Sequence, residues 1–528
     1  MDFGKRGIDR RKFLQAAAAA SAIGGLPLLD ACAQGSGAGP AIPTSDASKP
    51  LVIATIQSIP TLDPDKTAAD TTRSVILAIY DSLLDYDIGK HQLVPRLATS
   101  WTSSDDMTLE FKLRAGVKFS NGEALDANAV KFSLDRVKDP NTKSLQTTIF
   151  NNVVGVEVID PLTARWHLKQ PDPLLLQYLV TWPILPPQFT AQAGDKMATA
   201  PIGSGPYKVK NFQQGYGVDL VRNDSYWGPK PAFQYASYRT IESAETQLAS
   251  LLSGEVHIAS DLDPRQANGI VGNKKVKVIS KPKLLQALIT LDQVGRTDAN
   301  SPMKDVRVRQ ALNQAVNVDG IIKDILLGNG TRIAAGAHPA QFGFDASVRP
   351  WPFDPANAKK LLAAAGYGGG FEARMISQNA GIVAQSDTAQ AVQRDLAAVG
   401  IKVSLFNMTD PTAVGQLVRS GKAGPMIQFG NAAAGVFDAG AAYSFIFRCG
   451  NAFSYYCNKD FDSLFLQQSS TLDQNKRKDL LSQMQKMIRE DAGALFEWAV
   501  HGIWGVSSQV NWPAYEGRDD KLYTAKPA

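Results

Sequence analysis

Apolar residues recur along this chain in two periods, near two and near three and a half, and the segments change over at proline, glycine and asparagine. Leu51-Val-Ile-Ala-Thr-Ile is a short apolar run that predicts a first strand, and a helix is expected over 74–84 after the Asp63-Pro64 turn. Leu109, Phe111 and Leu113 alternate with Thr108, Glu110 and Lys112, the pattern of a half-buried strand. Asn121-Gly122 then turns the chain, and Asp126 is placed to cap a helix whose Val130, Leu134 and Val137 share one face. Residues 153–158 and 163–168 flank Asp160-Pro161 and predict a hairpin.

The second half follows the same logic. A helix is expected over 245–252, ended by Gly254, with a strand over 255–259. Asp305 starts a helix carrying Val308, Ala311, Leu312 and Ala315 on one stripe, and Asp354-Pro355 starts another that ends at Gly366-Tyr367. Proline in the first turn and glycine just past the last are the asymmetry helices favour. A strand over 373–376, a helix over 385–399 stopped by Gly400, a strand over 401–405 and an amphipathic helix over 476–490 complete the reading. Alternating helices and strands of this kind predict an α/β protein.

The N-terminal residues break the pattern. Asp9-Arg10-Arg11-Lys12-Phe13-Leu14 precedes an alanine-rich apolar run over 16–29 that is too short to span a bilayer stably. Residues 1–33 are expected to be an export signal of the twin-arginine kind, and the Gly/Ala/Ser/Pro-rich 34–49 a flexible tether. Two readings of the cleavage region stay open. Leu29-Asp-Ala-Cys32 is similar to a lipoprotein box in which Cys32 is acylated, and Ala31-Cys-Ala33 fits a small-x-small site. Either way the destination is periplasmic or extracytoplasmic. Cys449 and Cys457 are then expected to form a disulfide, two buried thiols being the alternative.

Composition narrows the function more than the fold. The net charge is only +5 and no basic stripe runs along any segment, so nucleic acid is not an expected partner. Ile202-Gly-Ser-Gly-Pro206 lacks the outer glycines of a nucleophile elbow, no two of the five histidines lie within a helical turn, and no Cys-x-x-Cys occurs. Neither catalysis nor a cofactor nor a metal site is expected.

One string carries identity: Gly203-Ser-Gly-Pro-Tyr-Lys-Val-Lys, a polar turn, then Val218-Asp-Leu-Val-Arg-Asn-Asp-Ser-Tyr-Trp-Gly228. Together with Leu93-Val-Pro-Arg-Leu-Ala-Thr-Ser-Trp101 and Arg114-Ala-Gly-Val-Lys-Phe-Ser-Asn-Gly-Glu-Ala-Leu125, it resembles the extracytoplasmic solute-binding proteins of peptide- and nickel-type ABC transporters, over about residues 50–515. The resemblance implies a type II two-lobed periplasmic-binding-protein fold with an extra third domain, closing on its ligand by hinge motion. Lobe I would comprise 50–87, 199–283 and 491–528, the extra domain 88–198, and the opposing lobe 284–490, with hinges near 283 and 491. The expected partners are a small peptide or sugar-like solute, the membrane permease and its ATPase subunits, and the expected state is a monomer. A signalling receptor or periplasmic chaperone on the same scaffold is the reading from another class.

This sequence departs from the family at one point. Peptide-binding members carry a Trp-x-x-Asp-x-x-Asp-Pro-like string whose first aspartate anchors the peptide amine. Here Met426-Ile-Gln-Phe-Gly-Asn-Ala-Ala-Ala-Gly-Val-Phe-Asp438 puts Phe429 at the tryptophan, Ala432 nearest the amine anchor, and Asp438 at a later acidic position that looks structural. A buried ammonium without a carboxylate is costly. The resemblance therefore implies a modified or non-peptide polar solute, such as a sugar or conjugate, with an ordinary oligopeptide as the alternative. The candidate ligand-binding residues are Gln57 and Ile59, Gln378 and Asn379, Gln428, Phe429 and Asn431, and Phe437, Tyr443 and Trp498. For the aromatics, core packing is the competing reading; for Gln57, Gln378 and Asn379 it is a solvated loop.

Overall fold

The computed structural model describes residues 50–67, 70–378, 382–431, 436–515 and 520–528. The export signal 1–33, the tether 34–49 and Cys32 lie outside the described residues, as do Asn379 and Ala432. Among the described residues no helix is long and apolar enough to cross a membrane.

The strands in chain order are β1 (Leu51–Thr55), β2 (Leu84–Asp87), β3 (Gln92–Pro95), β4 (Ala98–Asp105), β5 (Thr108–Leu113), β6 (Val153–Asp160), β7 (Thr163–Leu168), β8 (Tyr207–Gln213), β9 (Gly217–Arg222), β10 (Tyr235–Thr240), β11 (Ile258–Ala259), β12 (Val276–Leu291), β13 (Gly330–Arg332), β14 (Phe371–Gln378), β15 (Ile401–Met408), β16 (Met426–Asn431) and β17 (Ala494–Ser507). β4, β5, β7 and β6 form a separate antiparallel sheet in that order, and β2 and β3 a hairpin. Two further short strands, Val510–Asn511 and Lys526–Pro527, pair with each other, and the rest join one mixed sheet ordered β15-β14-β16-β12-β17-β11-β1-β10-β9-β8, with β13 added against β17.

Two long antiparallel strands, β12 and β17, run through both halves of that sheet. Val276 to Pro282 pairs with Ser507 to His501, and Gln286 to Thr290 with Ala499 to Ala494. Between Pro282 and Gln286 the register breaks, and a second irregularity falls between Ala287 and Leu288. On one side of the break β17 also carries β11; on the other β12 carries β16. Each half has its own hydrophobic core. Leu51, Ile53, Tyr238 and Trp504 belong to one, and Ala287, Leu312, Met375 and Trp498 to another. A third core, around Phe111, Trp166 and Trp182, fills the space beneath the four-stranded sheet.

The Gly203–Gly228 string explains itself at a single buried side chain. Asp81 is 1% exposed. Its carboxylate accepts from Arg96 Nε (2.9 Å) and Nη2 (2.6 Å), Ser204 Oγ (3.2 Å), Tyr226 Oη (3.2 Å) and Trp227 Nε1 (2.8 Å). Arg96 comes from the Leu93–Trp101 string, so two separate signatures meet on one carboxylate. Gly203 and Gly205 are required by close approach, because a Cβ on either would collide with the Ile79 carbonyl. The same contact corrects the expected helix over 74–84. The helix spans Asp70–Ile79 and stops where the Ile79 carbonyl accepts from Gly205 N at 2.8 Å, which frees Asp81 and Ser82 to turn into β2.

Helix starts follow the capping signals closely. Asp126, Asp305 and Asp354 each accept a first-turn backbone N–H, opening the helices Ala127–Lys138, Val306–Ala315 and Pro355–Ala364. The strand expected over 255–259 shortens to Ile258–Ala259. Cys449 and Cys457 are bonded, with their Cα atoms 4.4 Å apart.

Candidate functional site

Strand direction alone locates a site. β1 is parallel to β11, which pairs with β17 so that the C-terminal end of β1 points toward the break in the β12–β17 ladder. β16 runs antiparallel to β12, with Asn431 opposite Gln286, so its C-terminal end points at the same break from the other side; β14, parallel to β16, does likewise. Ligands of open α/β sheets bind outside the carboxyl ends of strands. Here the carboxyl ends of three strands converge from two half-sheets on one gap.

The expected site residues divide by position around that gap. Gln57 is exposed after β1, and its carbonyl accepts from Thr55 Oγ1 at 3.1 Å, whereas Ile59 is wholly buried in the core with Leu51 and Ile53. Gln378 ends β14 and is half-buried. Gln428, Phe429 and Asn431 all lie on β16, and Phe429 is half-buried against the aromatic cluster that contains Tyr443. Tyr443 is packed in that cluster between Phe447 and Phe461, and Trp498 lies in the core of the same half, away from solvent. The structure thus brings Gln378, Phe429 and Asn431 together at the strand ends and places Ile59, Tyr443 and Trp498 among core side chains.

Gln428 has a different task from the one its amide suggests. It is 1% exposed, and its Oε1 accepts from Ser377 Oγ at 2.9 Å while its Nε2 donates to Glu497 Oε1 at 2.9 Å. Gln385, at the start of the helix Gln385–Ala397, donates to the Gln428 carbonyl at 3.3 Å. The knot ties β14, β16, β17 and this helix together close to the carboxyl ends of β14 and β16.

Glu497 is fully buried, and its Oε2 has no hydrogen-bond partner among the described residues. Burial pushes its carboxyl up to about 8, against the opposing pull of Gln428 and Arg332. A carboxyl raised in this way stabilises the fold fully below its unfolded value of 4.5, and that contribution is lost as the pH rises through about 8. Glu497→Gln keeps the shape and removes the proton linkage. It should melt with the parent near pH 4.5 and increasingly above it toward pH 8. Parallel melting curves across that range would show that Glu497 does not carry the linkage.

Beyond β16 the chain returns at Val436. Phe437 stacks on Tyr86 of β2 with ring centroids 4.3 Å apart and planes 11° from parallel. Asp438 is wholly buried; its two oxygens accept from Arg477 Nη2 (2.7 Å) and Nη1 (2.6 Å), and Oδ1 also accepts from Gly440 N (2.9 Å), capping the helix Ala439–Ile446. A cavity of about 570 Å³ opens beside the stack, lined among others by Tyr86, His91, Lys281, His338, Tyr515 and Lys521. His338 is buried, accepts from Ala340 N through Nδ1 at 3.0 Å, and is pushed down to about 4 by burial, so it is neutral at neutral pH.

Three residues at the gap escaped the sequence reading. Glu497 carried a signal, as the one charged residue in the apolar run Ala494–Val500. Gln286, 1% exposed and with no partner for either amide atom among the described residues, sits across from Asn431 at the break. Tyr86 could not have been paired with Phe437 from spacing, since 351 positions separate them.

Two half-sheets joined by one crossing strand pair, with a third domain packed beside them and strand ends converging on the gap, define a two-lobed binding protein of the type II kind. The profile of the bacterial extracellular solute-binding proteins, family 5 (middle portion), matches residues 92–454, and the chain belongs to that family. It is 29% identical over 458 residues to the glutathione-binding protein GsiB of Escherichia coli K12, covering 84% of this chain and 88% of the relative. To GsiB of Salmonella paratyphi A it is 31% identical over 368 residues, 69% of this chain and 70% of the relative. The fold matches that of DppA from Helicobacter pylori in complex with the peptide STSA, with TM-score 0.74 and 23% identity over 91% of this chain and 98% of that one. The protein is accordingly the extracytoplasmic substrate-binding component of an ABC importer, a transport receptor and not an enzyme.

Proposed function

We propose that the solute is a small modified peptide of the glutathione kind, whose first residue is a glutamate joined through its γ-carboxyl so that its amine and α-carboxylate stay free. The observation that carries this reading is the state of Asp438. It is the first acidic residue after Met426, and its oxygens are held by Arg477 and the Gly440 N–H. An ordinary peptide presents a lone ammonium, which needs a carboxylate from the protein when buried. In a γ-glutamyl peptide the ammonium shares its carbon with its own carboxylate, so that end is neutral overall. Neutral amides such as Gln286, Gln378 and Asn431 suit such an end, and the name of the GsiB relatives supports the same class.

Calorimetric titration with glutathione and with its α-linked isomer Glu-Cys-Gly tests the proposal with composition held constant. Glutathione should bind at least about tenfold tighter, a difference of about 1.4 kcal/mol. Equal or tighter binding of the α-linked isomer, or of trialanine, would overturn it. A sugar conjugate is the second reading, favoured by the same neutral amides, and oligosaccharide binding without glutathione binding would select it.

The domain reading belongs to this proposal too. Residues 50–87, 199–283 and 491–528 act as lobe I, 88–198 as the extra domain and 284–490 as the opposing lobe. The register break supports a hinge at 283–285 on β12; the facing residues of β17 are Ala499–His501, eight or more positions beyond 491. Residues 1–33 serve export, with Cys32 at the processing point, and the receptor works as a monomer with its permease and ATPase subunits.

A further inference from the structure

Arg265 and Asp387 stand on opposite sides of the gap and touch. Arg265 lies on the short helix Pro264–Gly269, and Asp387 in the first turn of the helix Gln385–Ala397. Their Nη2 and Oδ2 atoms are 2.6 Å apart. The two helices belong to different cores. Ala267 packs with Leu251, Leu262 and Ile503 in the β11 half, while Ala389 and Val392 pack with Met375 and Leu396 in the β14 half. The pair therefore bridges two separately packed bodies whose strands are continuous only through the β12–β17 ladder.

Both ends are held in place. Asp263 accepts from Arg265 N at 2.8 Å, and Gln266 Oε1 accepts from Asp263 N at 3.2 Å, a reciprocal cap that fixes the short helix. Asp387 sits where the partial positive charge of a helix start favours an acid. Their side chains remain 72% and 43% exposed, so either can return to water when the gap opens. A contact that is cheap to break and lies between two separately packed bodies is what a reversible catch requires.

We propose that Arg265 and Asp387 form a salt-sensitive latch that biases the receptor toward its closed form and slows solute release. Neither residue needs to touch the solute. The latch acts by shifting the closed-to-open ratio, and affinity follows that ratio because the closed form holds the solute. For an exposed pair the shift is about two- to fivefold at low ionic strength, and high salt should erase it.

The inference rests on hinge closure and not on the identity of the solute, so its test uses the ligand-free full chain. Spin labels at Val271→Cys and Lys402→Cys, both exposed and on opposite halves, report the gap by electron–electron distance measurement, with Cys32→Ala removing the other labelling thiol. Two distance populations are expected. Arg265→Gln or Asp387→Asn should lower the short-to-long ratio about two- to fivefold at low salt. The charge swap R265D/D387R should restore it, and 1 M NaCl should bring all variants to one ratio. Two populations whose ratio ignores the pair would overturn the latch alone. A single narrow distance in every variant would overturn the hinge along with it. Unchanged melting temperatures of the single variants would confirm that the ratio, and not folding, has moved.

Discussion

Replacing Asp81 with alanine is expected to destabilise the fold by about 3–5 kcal/mol, the cost of leaving a buried charge without its partner. The Arg96 side chain is 9% exposed, and the nearest remaining carboxylate, that of Asp85, is 3.6 Å from Nη1 and already engaged by Lys521. Ser204, Tyr226 and Trp227 lose an acceptor at the same time. Asp81→Asn should cost less, because its carbonyl still accepts two of those bonds. Pairing Asp81→Ala with Arg96→Met should recover part of the loss, since removing both partners is milder than removing one. Urea unfolding followed by tryptophan fluorescence checks the series. A loss below about 1 kcal/mol for Asp81→Ala would place this cluster among ordinary exposed ion pairs.

Arg477→Met should be comparably severe, and its consequences should reach the solute. The Arg477 and Asp438 side chains are each 1% exposed, and Gln468 supplies further contacts at 2.8 and 3.1 Å to the guanidinium. Without Arg477 the buried Asp438 carboxylate keeps, among the described residues, the Gly440 N–H alone, a loss again of about 3–5 kcal/mol. Phe437 and its stack on Tyr86 sit one residue away, so that stack should loosen as well. Adding Asp438→Asn to Arg477→Met should regain stability, because asparagine still caps the helix without a charge. Melting temperature and solute affinity should fall together in the single variant and recover together in the double. Recovery of stability without affinity would mean that the ion pair itself, beyond its packing role, positions the Phe437–Tyr86 stack.

How much of this could be read from one dimension depends on the range of the interaction. The helix starts at Asp126, Asp305 and Asp354 were legible because a cap and its N–H are two or three residues apart. The family strings were legible as strings, but their meeting point was not, because Asp81 and Trp227 are 146 positions apart. The site was legible in part. Met426–Asp438 stood out as the segment that leaves the family pattern, but its opening strand was not read from the sequence, and nothing local distinguishes Gln428, which is locked in a knot, from Asn431 at the strand end. Aromatic residues posed the same difficulty. Trp498 lies in a fully buried run, Ala494 to Val500, typical of a central strand covered on both faces, and that run was the available warning.

The position of β17 has a consequence for how the protein is made. It fills the slot between β11 and β12, and it is supplied by residues 494–507 of a 528-residue chain. Neither half of the sheet can close while the ribosome is still adding the preceding 490 or so residues. Until then β11 and β12 present unpaired edges to whatever else is nearby, the kind of template that recruits foreign strands. The nascent receptor must therefore be shielded until residue 507 has been made, and both lobes are completed in one event by insertion of the same strand.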